Sequence, residues 1–145
     1  MNANEILSYV EDLKKYHKTN DPYKIAEYYG IVVNDHYKSA LDSFTAHTIK
    51  STALYPTMIC INDKYTDFSK KLLCAHELGH ALFHDGINHF ATTNKNVTTN
   101  VEWEANLFAI SLLDSSISNR LNMPLSAMNN YLLKDIIDYN LKFSE

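Results

Sequence analysis

The stretch Leu72-Leu73-Cys74-Ala75-His76-Glu77-Leu78-Gly79-His80-Ala81-Leu82-Phe83-His84 decides how this chain is read. The helical pattern starts near residue 67 and runs to about 84. Apolar residues occupy nearly every side of it, which is the signature of a buried helix, and buried imidazoles need partners. Four residues advance a helix by about 400°, so His76 and His80 lie within roughly 40° of each other on one face. Two imidazoles so placed can grip one metal ion. Glu77 is turned about 100° away, too far round to be an easy third ligand. Its carboxylate is placed instead to take a proton from a water activated by the metal. The H-E-x-x-H spacing thus predicts a zinc site rather than two histidines decorating an amphipathic helix.

A catalytic zinc needs a third protein ligand and an open position. The continuation H-E-x-x-H-x-x-G-x-x-H fails here, because position 83 is Phe and position 86 is Gly. The next helical stretch, residues 101–113, offers Glu102 and Glu104, about 200° apart on the helix wheel. Glu102 shares its face with Ala105, Asn106 and Ala109, whose small side chains allow close approach to the histidine helix. That favours Glu102 as the ligand, with Asn106 one turn on as a hydrogen-bond partner of a ligand histidine. Glu104, on the face of Phe108 and Ser111, reads as a solvated or substrate-facing carboxylate. His84 lies on the face of His80, but three ligands from one straight helix spread over about 12 Å and cannot reach one ion. It reads as a capping or supporting residue at the helix end. Cys74 belongs to the core, and His17, His36 and His47 read as surface or core filling. His89 is a weaker candidate for polarising a substrate carbonyl, and Tyr55, Tyr65 and His89 are the oxyanion-stabilising candidates.

Around these two helices the pattern implies an α+β domain, mainly helical. A first helix spans residues 4–17, with Ile6, Leu7, Val10 and Leu13 as its apolar stripe. A second is capped by Asp21, opened by Pro22 and ended by Gly30. Residues 31–33 read as a short buried strand, and 44–49 and 58–61 as two more, with a Tyr55-Pro56 turn between them. The strand at 58–62 is a candidate edge for an extended substrate backbone. Residues 88–100 read as a polar loop, and the region after Pro124 as short helical pieces ending in residues 131–143.

Composition narrows the alternatives. At 145 residues, 46% hydrophobic and 21% charged, the chain suits one globular domain, residues 1–145. Its three glycines have neither dinucleotide-loop nor phosphate-loop spacing. A net charge of −4 provides no basic stripe, so direct nucleic-acid binding is not expected. The N-terminal stretch is interrupted by Glu5, Glu11 and Asp12, unlike a signal peptide, and no run of apolar residues is long enough to span a membrane. Cys60 and Cys74 have no short-range spacing and read as reduced thiols. A cytoplasmic location is the expectation.

Several blocks together resemble the ImmA/IrrE-type metallopeptidases. They are Ile25-Ala26 with Gly30-Ile31-Val32-Val33, then Ile59-Cys60-Ile61-Asn62, then residues 75–84, then Glu102-x-x-Ala105-Asn106-x-Phe108-Ala109-x-x-Leu112-Leu113. The resemblance is strongest over residues 22–113. Residues 115–145 form a C-terminal extension without a match, and Leu112-Leu113-Asp114-Ser115 stands where the family usually has a Leu-Met-Pro segment. The likeness implies a gluzincin-like core, one zinc ion per chain, and Glu102 as third ligand. It also implies cleavage of a helix-turn-helix repressor of phage or mobile-element type, supplied in trans. The competing reading is a zinc-stabilised anti-repressor that sequesters its partner without cutting it. Glu77 argues for the peptidase, since a pure binder has no need of a general base.

Overall fold

Asn2 opens the first helix, α1 (Ala3–His17), through a reciprocal cap. Its side-chain oxygen accepts from the Glu5 amide at 2.9 Å, and Glu5 accepts from the Asn2 amide at 3.0 Å. In this computed structural model residues 1–38, 44–84, 89–90 and 99–145 are described. α1 buries Ile6, Val10 and Leu13 of the stripe expected from the spacing, with Leu7 partly buried beside them. The Asp21 side chain caps α2 (Pro22–Tyr28) by accepting from the Tyr23 amide at 3.0 Å. Gly30, at φ 72°, then turns the chain where a side chain would be strained.

Four strands form one mixed sheet in the order β1-β3-β2-β4. They are β1 (Val32–Tyr37), β2 (Ala46–Ile49), β3 (Met58–Asn62) and β4 (His89–Phe90). β1 runs parallel to β3, while β2 is antiparallel to both β3 and β4. Two expectations are corrected here. The first strand is longer than residues 31–33 and lies at the sheet edge, where its residues alternate between exposed and half-buried. β3 is not an edge available to a substrate: β1 and β2 occupy both of its sides, so its backbone groups are already paired. Most of the expected loop at 88–100 lies outside the described residues, but 89–90 form β4 and α4 (Thr99–Leu112) already begins at 99.

Two inner helices carry the core. α3 (Asp67–Phe83) packs on β2, β3 and α2, and against α4. α4 in turn meets α1 and α5 (Asn130–Asn140). Being covered all round explains why neither inner helix shows a clean polar face. Leu72, Leu78, Leu107, Phe108 and Ile110 are fully buried between these layers. Gly79 allows the close approach, because a Cβ there would lie 3.1 Å from the Phe108 ring and 3.2 Å from the Ala105 Cα. The α+β class, mainly helical with a small sheet on the H-E-x-x-H helix, is as the sequence implies. Among the described residues no helix is long and apolar enough to cross a membrane.

Candidate metal centre

α3 and α4 bring His76, His80 and Glu102 together, with one ligand-capable atom from each within 4.8 Å of the other two. The two histidines come from successive turns of α3, and their Nε2 atoms are 3.2 Å apart. Glu102 reaches across from the first turn of α4. Its oxygens lie 3.4 Å from His76 Nε2 and 3.1 Å from His80 Nε2. Both rings therefore present Nε2, not Nδ1, to the common point. His76 and His80 are buried and Glu102 is half-buried.

The charges within the cluster support one another. Burial alone would raise the Glu102 carboxyl, but hydrogen bonds and charge from His76 and His80 hold it well below the usual carboxylate range. Burial disfavours a charged His76, yet its contacts with Glu102 and the charge of Glu77 outweigh this and raise its pKa. Asn106, the expected supporting residue, is among the groups that raise the His76 pKa, and its side chain donates to Asn130 Oδ1 at 2.8 Å.

Glu77 is 1% exposed. Burial pushes its carboxyl up to about 7, against the opposing pull of His76 and of a hydrogen bond from Thr48. Thr48, on β2, donates to Oε1 at 2.9 Å. Oε2 is buried without a hydrogen-bond partner and lies 3.6 Å from His76 Nε2. An unsatisfied buried carboxylate oxygen beside two Nε2 lone pairs and a second carboxylate is a donor set that suits a zinc ion with an adjacent water.

His84 caps α3, its Nδ1 lying 3.0 Å from His80 Nδ1, outside the cluster. Glu104, expected to be solvated or substrate-facing, is not solvated. Its side chain is only 13% exposed, 3.4 Å from His84 Nε2 and 3.0 Å from the Met1 amino group. Tyr65 stacks on Phe143 beside the C-terminal segment, where the Ser144 hydroxyl donates to the Tyr65 carbonyl. Tyr55 lies in the exposed turn before β3. His89 sits on β4 with its Cα paired to Thr48. Thr48 and Lys50 were not expected at all. Lys50 Nζ donates to the Ala81 carbonyl at 3.0 Å, at the C-terminal end of α3 where a cation is favoured. Neither has a local signal in sequence, because only sheet register brings β2 alongside α3.

Residues 10–142 match the family model for the IrrE N-terminal-like domain (Peptidase_M78). The chain belongs to this peptidase family. The resemblance seen in the motif blocks therefore extends over most of the molecule, and the match takes in the segment after residue 115 as well. No curated protein and no solved structure matches the chain significantly. Family membership makes this a metallopeptidase-type domain, and the His76, His80 and Glu102 cluster is where its metal-capable side chains converge.

Proposed function

We propose that the chain is a zinc-dependent endopeptidase that cuts a helix-turn-helix repressor supplied in trans, of phage or mobile-element type, and so relieves repression. The observation that carries the hydrolytic part is Glu77. Its carboxylate is buried, held at Oε1 by Thr48, and left with Oε2 without a hydrogen bond, 3.6 Å from His76 Nε2 at the edge of the His76, His80 and Glu102 cluster. A module that only binds a partner gains nothing from keeping such a group, since an unsatisfied buried carboxylate oxygen costs stability.

His76, His80 and Glu102 would hold the zinc. When bound, zinc acidifies a water and polarises the scissile carbonyl. Glu77 Oε2 takes the proton of the attacking water and delivers it to the leaving amine. Thr48 keeps the carboxylate turned so that this oxygen, rather than Oε1, faces the reaction. The raised proton affinity of Glu77 suits a group that must both accept and release a proton near neutrality. The repressor as substrate rests on the family resemblance, and the cytoplasmic location on two cysteines that are free thiols.

Glu77→Gln tests the reading, because it preserves shape and the three ligands. Cleavage of a co-expressed candidate repressor should fall by about 10² to 10⁴-fold, the usual worth of general-base catalysis, with zinc content and partner binding retained. Derepression by Glu77→Gln with the repressor still full length would establish sequestration instead.

A further inference from the structure

We propose that His84 and Glu104 form a directional hydrogen-bonded pair that positions the ring of His80 for metal binding. The proposal rests on the zinc reading above and assigns work to two residues outside the three-ligand set. Both His76 and His80 turn Nε2 toward Glu102, at 3.4 and 3.1 Å. A cation bound by the Nε2 lone pair leaves His80 with its N–H on Nδ1. That nitrogen lies 3.0 Å from Nδ1 of His84, which must then accept. An imidazole accepting at Nδ1 carries its own proton on Nε2, and His84 Nε2 is 3.4 Å from Glu104 Oε1. Each link thus has one donor and one acceptor, running outward from His80 to the carboxylate.

The arrangement is well enclosed. The His84 and Glu104 side chains are 8% and 13% exposed. His84 follows the last turn of α3, at φ −125° and ψ 79°, so its ring is free of the helical rotamer limits that bind the residues before it. Its amide still donates to the His80 carbonyl at 2.9 Å, which fixes the turn. On α4 the two carboxylates divide the work by their positions on the wheel. Glu102 points at the cluster, and Glu104, about 200° further round, meets the next ring instead. A carboxylate backing a ligand histidine raises its basicity and fixes its tautomer, and here an imidazole is interposed between the two.

The test uses the full chain and zinc alone, with affinity measured by competition against a chromophoric chelator. His84→Phe should weaken zinc binding about 10- to 100-fold, and Glu104→Ala about tenfold or more. The double variant should be no weaker than His84→Phe, because Glu104 acts only through the ring. Glu104→Gln keeps an acceptor oxygen and should recover most of the loss. In the zinc-loaded parent, long-range proton–nitrogen NMR should find His84 protonated at Nε2, and Glu104→Ala should lose that single tautomer. Should His84→Phe fail to fold, the two Glu104 variants and the tautomer measurement decide. Zinc affinity unchanged in Glu104→Ala, additive losses in the double variant, or a His84 proton on Nδ1 would each overturn the proposal while leaving the zinc site standing. A parent chain that takes up no zinc would overturn the zinc reading and the proposal together.

Discussion

Glu77 shows how one side chain can work against the fold that holds it. Its carboxyl titrates near 7 in the folded chain against 4.5 as the ordinary value, because burial penalises the charged form. Between those values the folded state binds the proton that the unfolded state has released. The contribution of Glu77 is therefore favourable below about pH 4.5 and is lost as pH rises toward 7. Glu102 has the opposite sign: its depressed pKa adds stability above the ordinary carboxylate value, and that stability is lost as pH falls. In metal-free protein, Glu77→Gln should gain stability relative to the parent as pH increases from 5 to 7. Thermal melts in the presence of a chelator measure this. Parallel melting curves for the two proteins would show that burial does not perturb Glu77.

The contact between α3 and α4 depends on one glycine. Gly79 lies between His76 and His80 in sequence, and a Cβ there would meet the Ala105 Cα at 3.2 Å and Phe108 at 3.1 and 3.3 Å. In an exposed helix, Gly→Ala gains up to about 1 kcal/mol from propensity. Here the obstruction is partly backbone, and Phe108 is fully buried with nowhere to move. Overpacking commonly costs about 1–3 kcal/mol, enough to reverse the sign. Gly79→Ala should therefore lower stability, as read by urea unfolding. It should also weaken zinc binding, since α4 carries Glu102 less than one turn from Ala105. A more stable variant with parental zinc affinity would mean that α4 yields without strain.

Across the whole molecule, the last residues clamp the start of the histidine helix. The Thr66 amide, at the cap of α3, donates to the Lys142 carbonyl at 2.9 Å. The Lys142 amide donates to Ser69 Oγ at 2.7 Å, and the Ser144 amide to the Lys64 carbonyl at 2.7 Å. Phe143 stacks on Tyr65, ring centres 4.8 Å apart. Removing residues 142–145 should cost about 2–4 kcal/mol, at roughly 1 kcal/mol for each lost hydrogen bond plus the aromatic contact. His76 lies about 15 Å along the helix from Thr66, so zinc affinity of the folded protein should change little. Denaturant unfolding alongside zinc titration separates the two. A fall in affinity as large as the fall in stability would mean that the clamp also sets the metal site.

Spacing along the chain was enough to pair the two histidines. His76 and His80 share a face because 3.6 residues make a turn, and Asp21 and Gly30 mark helix ends through local hydrogen bonds and backbone freedom. The preference for Glu102 over Glu104 was also legible, since 200° on a wheel separates them whatever the fold. What Glu104 does was not, because its partners His84 and the Met1 amino group lie 20 and 103 residues away. Thr48 on Glu77, the interior place of β3, and the C-terminal clamp were hidden for the same reason. Strand order and register depend on which apolar faces are buried against which, a sum over many weak contacts that leaves no mark at any single position. The chemistry of the cluster follows from residue type and helix periodicity; its surroundings follow from packing.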